Sequence, residues 1–394
     1  MDRGPLKLFI AVGEPSGDVM AAELVAALKT ATDRPIQLMG VGGPNLIAQG
    51  LESLFPMQEM TVMGIAEVAP KIPKLLARIR ETADAAIAFD PDIVLTVDAP
   101  DFSFRVQKKL QKAGSRAKRV HMVAPTVWAW RPGRARKIAR FLDHLLVILP
   151  FEPPYFEAEG LATSFVGHPI ADRVADWTED AATAFRARHD IGTAQQVLAL
   201  LPGSRGGEVT RLLPLFWQVQ AQLQARYPDL ITAIPVVEGV ADLVAAQTAD
   251  WQTPPRLYHD KQDKDGLFAA ANAALVTSGT ASLELTAARV PMAVAYKASP
   301  LTAFILRRMV KVTYGSLTNI MLDRMAIPEF LQADATVDAL MGALTPLLDP
   351  DSPQRQAQLV DLDKAIDLLG LYGPSPAQNA ARVLLSLDGE AEQP

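Results

Sequence analysis

The sequence contains no cysteine among its 394 residues. Disulfides, thiolate metal sites and cysteine nucleophiles are therefore excluded, and this composition fits a reducing compartment. Histidine is also scarce, and the histidines show none of the spacings that are typical of a metal site. The five are His121, His144, His168, His189 and His259. We expect neither a bound metal ion nor another cofactor.

Long hydrophobic runs are absent as well. No uninterrupted apolar segment reaches the roughly 20 residues that a transmembrane helix needs. The N-terminal segment, "MDRGPLKLFIAVG", lacks the long apolar stretch and the cleavage site of a signal peptide. The formal net charge of -6 argues against general binding of nucleic acid. We therefore expect a cytosolic protein that is bound, at most, to a membrane surface.

Alternation of strands and helices dominates the pattern that is present. Hydrophobic residues make up 49% of the 394 residues, which suffices for two domains with separate cores. Strand-like segments such as "LKLFIAVG" and "IVLTVD" alternate with helical segments such as "DVMAAELVAALK". This alternation predicts βαβ units and mostly parallel sheets. It restarts after "VGHPIADRV", so we predict an α/β fold with two Rossmann-like halves that join near residues 167–172.

A glycine-rich loop follows the first predicted strand of the second half, in "LLPGSRGGEV". Gly203 allows backbone N–H groups to approach an anion, and the helix that follows adds partial positive charge. Beside Ser204, Arg205 adds a permanently charged, forked donor. The loop lacks the Gly-Lys-Ser/Thr ending of a P-loop and is not a GxGxxG motif. It predicts a diphosphate site, and the alternative is a tight turn whose arginine is merely solvated.

A second loop of this kind lies downstream, in "VTSGTASLE". Backbone amides and the hydroxyls of Ser278 and Thr280, on either side of Gly279, suit a phosphate or a sugar. Glu284 lies one helical turn after Thr280 on the same face, where a carboxylate repels phosphate but accepts hydrogen bonds from ribose. Two such loops in one half predict a site for a nucleoside diphosphate. The alternative for Glu284 is an ordinary acid in the first turn of a helix.

The corresponding loop of the first half, "GEPSGD", is acidic instead. Glu14 and Asp18 make it a poor site for a second phosphate-rich ligand. Carboxylates and the hydroxyl of Ser16 suit the hydroxyl groups of a sugar, so we predict Glu14 and Ser16 as substrate contacts. Helix capping by Ser16 or Asp18 is compatible with that role.

Acidic residues also end a predicted core strand, in "IVLTVDAPDFSF". Ligands of open α/β sheets collect at the carboxyl ends of strands, which makes Asp98 and Asp101 candidates for chemistry. A helix cap or a turn acid is the alternative. The nearby "DPD" is not predicted to bind a metal, because the proline between Asp90 and Asp92 signals a turn and no further ligands are visible.

Aromatic and cationic residues are combined in "PTVWAWRPGRARKIAR". Tryptophan faces such as that of Trp128 stack on sugars, and arginines such as Arg131 bind phosphate. An arginine cluster also suits an anionic membrane surface. The alternative for the helical part is a solvated basic face.

Apolar and cationic side chains are mixed over residues 60–80, "MTVMGIAEVAPKIPKLLARIR". Such a mixture is typical of an element that lies in a membrane interface or contacts acyl chains. A helix packed into the core is an equally good interpretation of the same pattern.

Taken together, the motifs resemble the lipid-A-disaccharide synthase family of inverting glycosyltransferases. The ordered set is "GEPSGD", "VGGPNL", "MGIAEV", "DAPDFSF", "PTVWAWRPGR", "LPFE", "FVGHP", "LPGSRGGE", "SGTASLE", "SLTNIM" and "PEFLQ". It covers Leu8 to about Gln332 and, more weakly, the tail. Thr318 stands where the family usually has proline and Pro15 where alanine is common, and neither departure removes a functional group.

The resemblance implies a GT-B architecture, in which two Rossmann-like domains with parallel sheets face a central cleft. Residues 1–170 would form the acceptor and lipid-side domain, completed by C-terminal helices at about 346–394. Residues 171–345 would bind the UDP-sugar. It also implies a peripheral protein on the cytoplasmic face of the Gram-negative inner membrane and a homodimer with an exchanged C-terminal part.

The implied reaction transfers 2,3-diacylglucosamine, with inversion, from UDP-2,3-diacylglucosamine to the 6-hydroxyl of 2,3-diacylglucosamine 1-phosphate. Its products are the β-1,6-linked lipid A disaccharide 1-phosphate and UDP. Asp98 falls on the family's proposed catalytic base, with Asp101 as its rival. The positions associated with UDP-sugar binding or catalysis are Arg205, Glu284 and Asn319, and Glu329 in "PEFLQ" completes the predicted substrate contacts. This scheme requires no metal.

Two other hypotheses stay open at this point. One is a different UDP-sugar enzyme with two Rossmann-like domains, such as a 2-epimerase of UDP-N-acetylglucosamine. The apolar and cationic stretch at residues 60–80 argues against it, because a soluble epimerase has no use for a lipid-facing surface. The other is a non-catalytic protein that binds lipid or nucleotide and releases no UDP.

Overall fold

The computed structural model describes residues 4–60, 65–299 and 312–389, without the side chains of residues 65–71. The chain divides into two compact units. The first contains Met1–Pro169 together with Gly373–Pro394, and the second contains Ile170–Tyr372. Each unit is an α/β structure built on one parallel sheet.

The C-terminal segment that returns to the first unit, here called the C-terminal return, is shorter than predicted. We expected it to begin at about residue 346, whereas it begins at Gly373. The helices Val337–Leu348 and Pro353–Leu369 contact strands and helices of the second unit instead. Their apolar side chains, such as Leu340 and Leu362, are fully buried there, which is why they remain with the second unit.

Seven strands form the sheet of the first unit. They are β1 (Leu6–Val12), β2 (Ile36–Val41), β3 (Glu52–Ser53), β4 (Ile93–Val97), β5 (Lys118–Met122), β6 (His144–Val147) and β7 (Ala162–Phe165). Their order is β3-β2-β1-β4-β5-β6-β7, and every pair is parallel. The mostly apolar runs LKLFIAV and IVLTV place β1 and β4 in the buried interior of this sheet.

Helices alternate with these strands along the chain. They are α1 (Pro15–Ala31), α2 (Pro44–Ala48), α3 (Ile65–Phe89), α4 (Pro100–Lys112), α5 (Gly133–Ile138) and α6 (Pro153–Glu157). Proline in the first turn of α1 is favourable, because its missing N–H has no helical partner there. Leu24, Val25 and Leu28 form the buried face of this helix.

The second unit repeats this plan with six strands. They are β8 (Val197–Leu201), β9 (Ile231–Pro235), β10 (Arg256–Tyr258), β11 (Ala273–Val276), β12 (Met292–Tyr296) and β13 (Glu329–Leu331), in the order β10-β9-β8-β11-β12-β13. Its described helices are α7 (Glu179–Arg188), α8 (Gly206–Arg226), α9 (Ala241–Thr248), α10 (Lys261–Ala270), α11 (Thr280–Ala287), α12 (Leu317–Leu322), α13 (Val337–Leu348) and α14 (Pro353–Leu369).

The last helix, α15 (Pro376–Leu387), completes the first unit. A capping box between Ser375 and Gln378 begins it. Ala380 and Leu384 are fully buried in the core that α1 also lines, and the two helices pack against each other. The C-terminal segment is therefore part of the first core and not an appendage to it.

In both sheets the strand order reverses beside the first strand of the unit. β1 pairs with β2 on one side and β4 on the other, and β8 pairs with β9 and β11. Connections that leave two such neighbouring strands diverge, and a crevice opens at their carboxyl ends, where open α/β sheets bind ligands. The fold thus marks one ligand position in each unit.

Asp18, in the first turn of α1, anchors the loop that follows β2. Its buried carboxylate accepts hydrogen bonds from Gly43 N (2.7 Å), Asn45 N (2.9 Å) and Leu46 N (3.2 Å), and a fourth from Asn45 Nδ2 (2.9 Å). A Cβ on Gly43 would lie 2.7 Å from Asp18 Oδ2, so only glycine fits there. Asp18 therefore caps α2 across the fold, and not its own helix.

We expect Asp18→Ala to lower the free energy of unfolding by about 3–5 kcal/mol, because buried N–H groups lose their acceptor. Denaturant unfolding measures the loss. The matched control is Asp33→Ala, which removes an exposed acid just after α1 and should change stability by less than about 0.5 kcal/mol. Equal stabilities of the two variants would contradict the capping role.

Glu152, in the turn between β6 and α6, is a second buried carboxylate. Oε2 accepts a hydrogen bond from Leu149 N (3.1 Å) and Oε1 accepts one from the indole Nε1 of Trp128 (3.2 Å). Burial raises the pKa of Glu152 to about 7, and the hydrogen bonds to its carboxylate offset that effect only in part. This carboxyl therefore titrates near neutrality while it ties the loop after β5 to the loop after β6.

The raised pKa of Glu152 should make the stability of the protein depend on pH. Because folding raises the pKa of Glu152 from 4.5 to about 7, the folded protein binds more protons than the unfolded chain between those values. The free energy of unfolding should therefore fall as pH rises through this range, by up to about 3 kcal/mol from this group.

Urea unfolding between about pH 5 and pH 8 measures that slope. Glu152→Gln cannot ionise and should lose this part of it, whereas Glu157→Gln, which replaces an exposed acid at the end of α6, should keep it. The same slope in wild type and in Glu152→Gln would show that the carboxyl does not titrate here.

Candidate active site

Two carboxylates meet where the strand order of the first sheet reverses. Glu14 follows β1 and Asp98 follows β4, and these strands are neighbours. The loops that carry them are in close contact at Gly13 and Ala99. A side chain at Gly13 would not fit, since its Cβ would lie 2.3 Å from Ala99 Cβ. Burial, and then the negative charge of Asp98, raise the pKa of Glu14. The structure therefore brings both predicted acids into one crevice.

Asp98 lies on a strained stretch of backbone. Asp98 and Ala99 have φ angles of 52° and 43°, a left-handed conformation that costs about 1–3 kcal/mol for each such residue. Asp98 N donates to Met122 O (3.0 Å) and Ser103 Oγ donates to Asp98 O (2.7 Å), which holds the turn. Ala99 N donates to Oδ1 (2.8 Å). The described residues offer Oδ2 no donor, so this oxygen can receive a proton from a hydroxyl.

Asp101 and Ser16 occupy more open positions at the same edge. The Asp101 side chain is 97% exposed, with Arg134 at 3.9 Å. It lies in the first turn of α4, where a helix favours an acid. Ser16 is exposed in the first turn of α1.

In the parts of the chain that the structure covers, no three His, Asp or Glu side chains are grouped so that they could hold a metal ion.

The loop after β5 carries the predicted aromatic and cationic contacts. The half-buried Trp128 donates to Glu152 and packs edge-on against Phe151, with ring centroids 5.1 Å apart. Arg131 is exposed, and its guanidinium lies 4.3 Å from the ring centroid of Trp130. The orientation of Trp128 is thus fixed. Glu152, which fixes it, was missed by sequence reasoning, and its only signal is its place in "LPFE".

The second unit has a cavity of about 790 Å³ where its strand order reverses. The loops that follow β8, β9, β10 and β11 form its wall. Seven of the predicted substrate contacts lie in that wall: Gly203, Ser204, Arg205, Ser278, Gly279, Thr280 and Glu284. A cavity of this size is typical of a small-molecule site.

Both glycine loops direct a helix N-terminus at this cavity. α8 begins directly after Arg205 and α11 directly after Gly279, so N–H groups without helical partners face the wall. A Cβ on Gly203, where φ is 115°, would lie 2.5 Å from Glu208 Oε2. The Arg205 side chain is 80% exposed and donates to Glu208 Oε1 at 3.1 Å. Most of its N–H groups therefore stay available to an anion.

Glu284 is buried in the cavity wall, and both of its oxygens bind cations. Lys264 Nζ lies 2.9 Å from Oε1 and 2.8 Å from Oε2, and Arg173 Nη1 donates to Oε1. These contacts tie Glu284 to two other elements, which goes beyond an ordinary acid in a first helical turn. Neither cation was predicted, because Arg173 follows the junction of the halves and Lys264 lies in the charged "DKQDKD", a pattern typical of a solvated helix.

Asn319 and Glu329 lie behind the cavity and are not in its wall. Asn319 is fully buried, where Oδ1 accepts from Ile327 N (2.8 Å) and Nδ2 donates to Glu329 Oε1 (2.6 Å). Glu329 Oε2 accepts from Gly315 N (2.6 Å), and Gly315 O accepts from Ser278 Oγ (2.6 Å). The pair therefore shapes the loop that supports Ser278. A direct contact of either residue with substrate stays a prediction.

The predicted membrane or acyl-chain element is described only in part. Residues 61–64 and the side chains of residues 65–71 lie outside the described residues. Further along α3, Ile72 and Leu76 are 44% and 46% exposed, whereas Ile79 is buried in the core. Within residues 4–60, 65–299 and 312–389, no helix is long and apolar enough to span a bilayer.

Solved structures of known proteins share this fold. The UDP-GlcNAc 2-epimerase from Neisseria meningitidis, bound to UDP-GlcNAc, matches with a TM-score of 0.61 and 12% identity, over 97% of this chain and 99% of that one. MurG from Acinetobacter baumannii matches with a TM-score of 0.59 and 14% identity, over 98% and 100%. Identities this low show the fold alone, and it is the predicted GT-B-like α/β fold with two Rossmann-like units.

Sequence comparison is more specific. The family model described as lipid-A-disaccharide synthetase matches residues 8–379. The lipid-A-disaccharide synthase of Rhodospirillum centenum is 48% identical over 383 residues, which cover 97% of this chain and 95% of that protein. These matches confirm the resemblance predicted from the ordered motifs, and they show that the chain belongs to the lipid-A-disaccharide synthase family.

Proposed function

We propose that this protein transfers 2,3-diacylglucosamine from UDP-2,3-diacylglucosamine to the 6-hydroxyl of 2,3-diacylglucosamine 1-phosphate, as a lipid-A-disaccharide synthase. One observation carries the proposal. Both glycine loops and Glu284 line a single cavity at the strand reversal of the second unit. Membership of the family and the fold shared with an epimerase solved with UDP-GlcNAc support a UDP-sugar as the ligand.

In the second unit the proposed ligand is the donor. Its diphosphate lies against the N-termini of α8 and α11, where N–H groups and the helix dipoles favour negative charge. When the bond between the sugar C1 and the phosphate oxygen breaks, UDP gains negative charge, which Arg205 and the loop amides stabilise. Glu284 accepts a hydrogen bond from a ribose hydroxyl.

In the first unit the proposed role of Asp98 is that of general base. The 6-hydroxyl of the acceptor attacks C1 of the donor sugar on the face opposite the diphosphate, and its proton passes to Asp98 Oδ2. A carboxylate is a weak base toward a hydroxyl, so the proton moves late, as the sugar gains oxocarbenium character. Glu14 and Ser16 bind further hydroxyls of the acceptor. The exposure of Asp101 supports Asp98 over its rival.

The loop after β5 is proposed to bind the rest of the acceptor. The Trp128 ring, fixed by Glu152, offers a face for a sugar to stack on. Arg131 offers a forked cation for the 1-phosphate.

Acylated substrates require a protein that works at a lipid surface. Ile72 and Leu76 are exposed one helical turn apart on α3, and Arg80, one turn further along the same face, is exposed too. Apolar side chains beside a cation suit an anionic membrane surface and support a peripheral position on the cytoplasmic face of the inner membrane. A homodimer with exchanged C-terminal parts is also proposed, and α15 is the segment that would exchange.

The activity itself is the first test. Purified protein with both acylated sugars and no added metal should release UDP and disaccharide 1-phosphate in equal amounts, measured by a coupled UDP assay and mass spectrometry. UDP-GlcNAc alone should yield neither UDP nor an epimer. Binding of the acylated nucleotide sugar without release of UDP would contradict the proposal and support a non-catalytic binding protein.

We expect Asp98→Asn to lower kcat roughly 100- to 10,000-fold, the usual contribution of a general base. Its affinity for UDP, measured by calorimetry, should match that of the wild type, because the nucleotide site lies in the second unit. Asp101→Asn is the matched control, since it removes a neighbouring carboxylate that is 97% exposed, and it should keep kcat within about threefold of wild type. Near-normal turnover in Asp98→Asn refutes the assignment of the base.

A further inference from the structure

We propose that Arg173 and Lys264 are positioning residues, which aim the Glu284 carboxylate at a ribose hydroxyl and cancel its repulsion of the diphosphate. This inference rests on the proposed binding of UDP in the cavity of the second unit. Both cations lie in the cavity wall, yet neither belongs to a glycine loop. Arg173 lies in a 3-10 segment near the start of the unit, and Lys264 lies in the first turn of α10.

The hydrogen bonds of Glu284 leave one direction open. A carboxylate accepts in about four lone-pair directions. Oε1 receives N–H groups from both Arg173 and Lys264, whereas Oε2 receives only that of Lys264 among the donors the structure describes. The two cations thus occupy three directions and hold the carboxyl plane. The remaining direction at Oε2 is the place for a hydroxyl donor.

Both cations are held by other contacts before any ligand binds. Arg173 Nη2 also donates to Asp265 Oδ1, and its guanidinium lies 5.0 Å from the ring centroid of Trp177. The Lys264 ammonium lies 5.4 Å from the ring centroid of Phe268. Groups fixed in advance lose little conformational freedom on binding, so Glu284 is oriented at no cost to ligand affinity.

The charges around Glu284 determine how it affects a bound diphosphate. The Glu284 side chain is only 10% exposed, and an unpaired carboxylate in that position would repel a diphosphate in the same cavity. Its ion pairs with Arg173 and Lys264 belong to a network of three cations and three carboxylates, and the net charge of this network is zero. The other members are Lys261, Asp176 and Asp265. The carboxylate can therefore select for a ribose without weakening the binding of the phosphates.

A comparison of nucleotides isolates this role. The probes are UDP and 2′,3′-dideoxy-UDP, which carries the same base and diphosphate but no ribose 2′- or 3′-hydroxyl. In the wild type, calorimetry should give UDP an advantage of about 10- to 100-fold in Kd, as expected for a hydrogen bond to a charged acceptor. Lys264→Met, Arg173→Met and Glu284→Gln should each lower this advantage to about threefold or less.

Two variants serve as controls. Lys261→Met removes a cation three residues earlier on α10 that pairs with Asp176 and Asp265 and not with Glu284. This variant should lower the affinity for both nucleotides in equal proportion and keep the wild-type advantage of UDP. Lys264→Arg keeps a positive charge and N–H donors at this position, so it should keep most of the wild-type advantage of UDP. Circular dichroism and thermal unfolding confirm that every variant is folded.

The outcomes separate the inference from the proposed function. In one outcome, Lys264→Met and Arg173→Met lower the affinities for UDP and dideoxy-UDP equally, whereas Glu284→Gln removes the advantage of UDP. That result overturns the positioning role and leaves the proposed nucleotide site intact. If Glu284→Gln also keeps the advantage, the ribose contact and the positioning role both fail. If wild type binds neither nucleotide, the proposed nucleotide site itself fails.

Discussion

The order of the strands in the two parallel sheets is the constraint on which the rest of the structure depends. In each unit the first strand lies third in the sheet, and the connections that leave it and its neighbour β4 or β11 diverge. The carboxyl ends of β1 and β4, and of β8 and β11, are therefore open, and the loops that leave them carry the candidate site. Buried apolar strands such as IVLTV lie inside the sheet, because they need cover on both faces. The site residues are placed by the packing of strands that contribute no chemistry.

Carboxylates in this protein take on different tasks according to how many donors surround them. Asp18 receives four hydrogen bonds and fastens a loop. Asp98 receives one, from Ala99 N, and keeps an oxygen for chemistry. Glu284 lies between these cases, since two cations hold it and one direction stays open. A buried charge without partners is costly, so the number of donors indicates which acids are structural and which are poised for a ligand.

Sequence reasoning was most successful where a motif is local. The loops "LPGSRGGEV" and "VTSGTASLE" each follow a strand and begin a helix, and their residues line one cavity, as the strand–loop–helix pattern predicts. It failed where partners are distant in the chain. Arg173 is 111 residues from Glu284, Asp18 caps a helix 28 residues away, and the C-terminal return begins at Gly373 and not near 346. Such pairings depend on how elements pack, and no periodicity encodes them.

The sequence by itself determined the alternation of strands and helices, the two Rossmann-like halves, the two glycine loops and the family to which the ordered motifs belong. These features depend on local propensity and on spacing, which are visible along the chain. Only the tertiary structure decided that Asp98 keeps an open oxygen while Asp101 is exposed, that Asn319 and Glu329 support a loop behind the cavity, and that two cations hold Glu284. The physical reason is that burial and hydrogen-bond partners are set by packing between distant segments, and these two quantities decide what a polar side chain does.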